Sequence, residues 1–148
     1  MPSTPYTRTT PAVRPHAAVS PREPGVVLLI EDDAAFASDL SQAIRRHGLR
    51  VEHFSSFPDV GFVGRIESYA VIVLDYRLPA LNGLEIAETC ASLCGDRPVV
   101  LISNSLPTPE GRFAGLRNIR HRIAKSAGIA MIADAVAECV VAQVIAPL

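Results

Sequence analysis

Four short stretches of this 148-residue chain, three apolar runs and one of mixed polarity, each end on residues that can do chemistry. Val26 to Ile30 leads into Glu31, Asp32 and Asp33. Ala70 to Leu74 leads into Asp75, Val99 to Ile102 into Ser103, and Ile119 to Ala124 into Lys125. Lys125 is the sole lysine, beside thirteen arginines. Clustered carboxylates repel one another unless a cation lies among them, and oxygen ligands that leave room for water suit Mg2+. A carboxylate such as Asp75 is able to attack a phosphoryl group and form an aspartyl phosphate. A metal ion, the Lys125 ammonium and the Ser103 hydroxyl would then meet phosphoryl oxygens and stabilise charge in the transition state. Each residue alone has a plainer reading: Asp75 as the cap of a turn, the first acids as helix caps, Lys125 as a solvated strand end. Their joint placement is what favours the chemical one.

That placement depends on the elements between. The run Val26 to Ile30 reads as a buried strand. Ala34 to His47 then carries apolar residues at helical spacing, with Asp33 as N-cap and Gly48 as the stop. Leu49 to Phe54 alternates, as a half-buried strand does, with His53 facing solvent or a satisfied surface site. Ser56 to Glu67 reads as a weaker helix with Pro58 in its first turn. Ala70 to Asp75 is a third strand, Gly83 to Leu93 a helix, and Val99 to Ile102 a fourth strand. Pro107, Pro109 and Gly111 predict a short or irregular helix before Leu116. Ile119 to Ala124 is a fifth strand, and Ala127 to Val144 a helix with Ile129, Ile132, Val136, Val140 and Val144 in one stripe. Alternating strands and helices imply a parallel sheet with right-handed crossovers and helices on both faces. Ligands of such sheets sit at the carboxyl ends of the strands, where the four stretches terminate.

Bulk properties narrow the field. A chain of 148 residues suggests one domain, and 49% apolar residues supply a core. A net charge of −1 gives no general attraction to nucleic acid or an anionic membrane. No apolar run is long enough to span a bilayer, and no signal-peptide core opens the chain. A cytoplasmic protein is expected. Residues 1–25 hold six of the twelve prolines without apolar periodicity, and read as a disordered, weakly basic tail. Cys90, Cys94 and Cys139 are an odd set on apolar segments, so buried thiols are expected rather than a disulfide or zinc site.

The runs Leu28-Leu29-Ile30-Glu31-Asp32-Asp33, Leu74-Asp75-Tyr76-Arg77-Leu78-Pro79 with Gly83 beyond, and Pro98-Val99-Val100-Leu101-Ile102-Ser103, together with Lys125, resemble the CheY-like receiver domain of two-component response regulators. The resemblance covers residues 26–148. It implies a flavodoxin-like (βα)5 fold, doubly wound, with a parallel five-stranded sheet in the order 2-1-3-4-5. It implies that Asp75 accepts phosphate from a histidine kinase or phosphotransfer protein in a Mg2+-dependent reaction. By the same resemblance Asp32, Asp75 and the main-chain carbonyl of Arg77 ligate the metal, and Glu31 acts in its outer shell. Ser103 and Lys125 sense the phosphoryl group, while Asp33 falls at a variable position.

The match departs from the family in places that bear on signalling. An aromatic residue usually stands three positions before the lysine and turns inward on activation; here it is Arg122, whose guanidinium is costly to bury unpaired. Ser126 replaces the proline that normally follows the lysine, so the strained peptide of the family does not carry over. The expected protein is thus a stand-alone receiver with no DNA-binding module, self-phosphorylating but not a conventional enzyme, that signals to a downstream protein. The alternative is a binding module that works without phosphorylation. An aspartate-nucleophile phosphatase would need an acid at position 77, which is arginine. A flavin protein would need a phosphate-cradling loop where the first acids stand.

Overall fold

The computed structural model describes residues 25–56, 58–60, 68–78, 85, 92, 96–104 and 117–145. The expected tail apart from Gly25, most of the helix expected over Ser56 to Glu67, the helix expected over Gly83 to Leu93 apart from Glu85 and Ser92, the irregular segment after Pro107, Cys90 and Cys94 lie outside those residues. Five parallel strands form one sheet in the order β2-β1-β3-β4-β5: β1 Val26–Ile30, β2 Arg50–Phe54, β3 Val71–Asp75, β4 Val99–Ser103 and β5 Ile119–Ala124. This is the doubly wound order expected from the sequence. The described helices are α1, Ala34–Arg45, and α2, Ile129–Ile145, with 3-10 turns at Pro58–Val60 and Lys125–Ala127.

The strand sequences explain the order. VIVLD and VVLIS are buried along their whole length, as is all but the first residue of VVLLI, and these strands occupy the three central positions. A parallel strand covered on both faces has no solvent side and therefore reads as an unbroken apolar run. RVEHF and IRHRIA keep polar residues and lie on the two edges.

One sheet face packs Val27, Leu29, Val71, Val73, Val100 and Ile102 against Leu40 and Ile44 of α1 and Ile132, Val136 and Val140 of α2. Full burial of each Leu, Ile or Val contributes about 1.5–3 kcal/mol. The other face carries Leu28, Ile30, Ile72, Leu74, Val99 and Leu101, with Val60, Tyr69 and Leu78 packed on them. Cys139 is a buried free thiol within the first cluster, as expected, and burial pushes its pKa up.

The helix ends follow their caps. The Asp33 carboxylate accepts the Phe36 N–H at 3.1 Å, the expected N-cap. Gly48, at φ +79°, closes the turn after α1 in the left-handed region that an L side chain resists. α2 begins at Ile129, two residues later than expected. A 3-10 turn over Lys125–Ala127 and Gly128 at φ +103° intervene.

A β-bulge between β4 and β5 was not expected. Ile119 pairs with Val99 and His121 with Val100, which leaves Arg120 as the extra residue. The bulge reverses which face each later β5 side chain takes. Ile119 packs on the second cluster and Ile123 on the first, although an unbroken strand would put both on one face. It also sets Ala124 opposite Ser103 and so delivers Lys125 to the carboxyl rim. Among the described residues no helix is long and apolar enough to cross a membrane.

Candidate functional site

The carboxyl rim gathers its residues from three buried strands and one edge strand. Glu31 follows β1 and is fully buried, pinned by its main chain: its N–H donates to the Phe54 carbonyl at 3.0 Å, and its carbonyl accepts His53 Nε2 at 2.7 Å. Asp32, next in sequence, is exposed. Asp75 ends β3 and is 4% exposed; Ser103 ends β4 and is fully buried. Lys125 follows β5.

Glu31, Asp32 and Asp75 bring one carboxylate oxygen each within 4.8 Å of the others. The Lys125 ammonium lies 3.0 Å from Asp75 Oδ2 and 2.8 Å from Glu31 Oε2. Fifty residues separate Lys125 from Asp75, so the contact is a product of the sheet order. The Arg77 N–H donates to Asp75 Oδ1 at 2.9 Å. Among the described residues each Asp75 oxygen thus has one donor, and the two together fix the carboxylate plane.

Glu31 differs. Its Oε1 accepts the Asp33 N–H at 3.0 Å, whereas among the described residues buried Oε2 meets only the Lys125 ammonium, at 2.8 Å and poorly aligned for a hydrogen bond. Burial pushes this carboxyl from 4.5 up to about 7, against the downward pull of Lys125 and the Asp33 N–H. Burial alone would lower the Lys125 pKa, but the contacts to Glu31 and Asp75 prevail and hold its ammonium above the ordinary range.

The sequence brought Glu31, Asp32, Asp75, Ser103 and Lys125 to one rim, and the structure places them there. Arg77 is adjacent, tied through its N–H. Arg122 lies in β5, half-buried and opposite Leu101. One contributor was missed: the Phe36 ring stands under Lys125, with Nζ 4.6 Å from its centroid. His53, expected at solvent or a satisfied surface site, is exposed and anchored to the Glu31 carbonyl, a partner the sequence did not name. Phe36 sits at an ordinary core position of an amphipathic helix, and the His53 contact depends on the β1–β2 register, so spacing alone carried no signal for either.

Comparison with known proteins follows the same lines. The family described as response regulator receiver domain matches residues 27–137. The response regulator protein TmoT of Ectopseudomonas mendocina is 34% identical over 80 residues, covering 53% of this chain and 36% of TmoT. The cell cycle transcriptional regulator CtrA of Caulobacter vibrioides is 31% identical over 91 residues, covering 60% of this chain and 39% of CtrA. The matched stretch thus spans well under half of these curated relatives. Among solved structures, the receiver domain of Francisella response regulator 1452 aligns with a TM-score of 0.67 at 21% identity, covering 80% of this chain and 98% of that one. The CheY-like receiver domain protein of Methanospirillum hungatei JF-1 gives 0.67 at 18% identity, covering 80% and 95%. At such identities the structural likeness shows the fold.

Proposed function

The chain belongs to the response regulator receiver domain family, a class of signalling modules rather than conventional enzymes, and from that premise we propose that Asp75 is its phosphoacceptor. A phosphorylated histidine of a kinase or phosphotransfer protein is the donor: an Asp75 carboxylate oxygen bonds to phosphorus as the nitrogen–phosphorus bond breaks, and the histidine leaves. The observation that carries this reading is the 3.0 Å contact between Lys125 Nζ and Asp75 Oδ2 beside the grouped oxygens of Glu31 and Asp32.

The donor set fits Mg2+. Three carboxylates against one ammonium leave a surplus of negative charge, and the single Lys125 ammonium is shared between buried Glu31 Oε2 and Asp75 Oδ2. Asp32, Asp75 and the Arg77 carbonyl would hold the ion, with Glu31 in the outer shell. When bound, the ion offsets negative charge on the transferring phosphoryl group. The chain supplies the rest. The Arg77 N–H orients Asp75, Lys125 places a positive charge at the acceptor oxygen, and the Ser103 hydroxyl at the end of β4 meets a phosphoryl oxygen. Phosphorylation then alters which protein partner the domain binds.

Incubation with Mg2+ and acetyl phosphate should give an acid-stable, hydroxylamine-labile adduct. Equal labelling of Asp75→Asn and wild type would refute the assignment. Arg122 and Ser126, where the family carries an aromatic and a proline, favour a second reading, a receiver that binds its partner with or without phosphate. Equal partner affinity in the two states would support it.

A further inference from the structure

We propose that Phe36 is a positioning residue whose ring keeps the Lys125 ammonium beside Asp75 when the acidic rim is loaded with a cation. The inference rests on Asp75 being the phosphoacceptor. Lys125 Nζ lies 4.6 Å from the ring centroid, inside the range of about 6 Å over which a ring face attracts a cation. The same ammonium contacts Glu31 at 2.8 Å and Asp75 at 3.0 Å.

These three attractions respond differently to a metal ion. A divalent cation among Glu31, Asp32 and Asp75 satisfies the carboxylates and repels the ammonium, so both ion pairs weaken. The ring offers no oxygen to a hard cation and keeps its hold on the ammonium. It is also rigidly placed. The Phe36 N–H is fixed to the Asp33 carboxylate at 3.1 Å, and its side chain packs against the core shared by α1 and α2. Lys125 has a flexible stem and depends on its surroundings for position. Phe36 thus acts through Lys125 on the rate of phosphoryl transfer and leaves donor binding alone.

The test uses the whole chain at saturating Mg2+ with acetyl phosphate as donor. Phe36→Leu should lower the maximal labelling rate roughly three- to thirty-fold, with an unchanged half-saturating donor concentration. Phe36→Tyr, which retains a ring face, should restore the rate to within about two-fold of wild type. In a Lys125→Ala background, Phe36→Leu should have no further effect. An equal loss in that background, or failure of Phe36→Tyr to rescue, would overturn the proposal.

A second measurement needs no phosphoryl transfer. The Lys125 Hε protons should show an upfield ring-current shift in the NMR spectrum of wild type, retained on adding Mg2+ and absent in Phe36→Leu. Loss of that shift with Mg2+ overturns the Phe36 role. Absence of any label on wild type, with the shift retained, instead sinks the phosphoacceptor reading and leaves the contact standing.

Discussion

Replacing Lys125 with Met isolates what its charge contributes, because Met fills much of the volume of the stem and brings no new polar atom. The Glu31 and Asp75 side chains are 0% and 5% exposed, and Lys125 is 11% exposed. Removing one partner of a buried ion pair costs about 3–5 kcal/mol, since the remaining charge stays desolvated. In metal-free protein at pH 8 the full cost should appear. At pH 5.5, below the value of about 7 to which burial raises Glu31, that carboxyl is protonated in both proteins. Only the Asp75 contact is then lost, and a hydrogen bond to a charged group is worth about 1.5–3 kcal/mol. Asp75 keeps the Arg77 N–H at 2.9 Å, which favours the lower end. Urea unfolding with chelator present reads this directly. With a slope of about 1.5 kcal/mol per molar, the midpoint should fall by roughly 2–3 M at pH 8 and by about half as much at pH 5.5. Adding Mg2+ at pH 8 should recover part of the loss by supplying the missing positive charge. A midpoint equal to wild type at pH 8 would mean that Lys125 does not offset the buried carboxylates.

In wild type, Glu31 holds its proton more tightly folded than unfolded, so its share of stability falls as pH rises from 4.5 to about 7. Relative to Glu31→Gln in metal-free solution, wild type should lose about 3 kcal/mol across that window, whatever constant offset the substitution adds; parallel urea midpoints from pH 4.5 to 8 would contradict this. Asp33→Ala removes the carboxylate that accepts the Phe36 N–H and should cost about 1 kcal/mol, read by thermal melting. Arg77→Ala keeps the backbone donor to Asp75 but removes an exposed side chain beside it. The lifetime of the aspartyl phosphate should change with the unfolding midpoint unmoved, and identical decay curves would rule out a role for the Arg77 side chain.

The sheet was legible because central parallel strands have no polar face to confuse the pattern: VVLLI, VIVLD and VVLIS announce themselves as continuous apolar runs. The rim was legible for a related reason. Once strands are parallel, their carboxyl ends share an edge, and Glu31, Asp32, Asp75, Ser103 and Lys125 fall there by counting alone. What escaped depends on a single residue's backbone or on contacts across elements. The bulge at Arg120 lies in a strand of mixed polarity, where period-two counting has little to hold. The late start of α2 depends on Gly128 taking positive φ after a 3-10 turn, in a stretch whose composition suits a helix. The Phe36 ring beneath Lys125 joins the start of α1 to the end of β5, eighty-nine positions apart in the sequence.

Charge balance links the buried rim to the proposed signal. Glu31, Asp32 and Asp75 against Lys125 leave about two negative charges, which a divalent cation offsets. The proposed phosphorylation of Asp75 would replace a single negative charge with a group carrying about −1.5 to −2, and so would disturb a balance that such a cation meets. The carboxylates cannot move far to restore it: Glu31 is pinned by its N–H, its carbonyl and Oε1, and Asp75 is the last residue of a fully buried strand. Lys125, in a short 3-10 turn, is the cation in direct contact with Asp75, its Nζ 3.0 Å from Oδ2. The new charge therefore acts first on Lys125 and on the junction between β5 and α2. Arg122, half-buried three residues upstream on β5, and Ser126, exposed and immediately after the lysine, flank that junction. A readout altered at those two positions is thus compatible with the proposed phosphoryl transfer at the rim: that chemistry would rest on strand ends fixed in the core, and the response on the turn that follows β5.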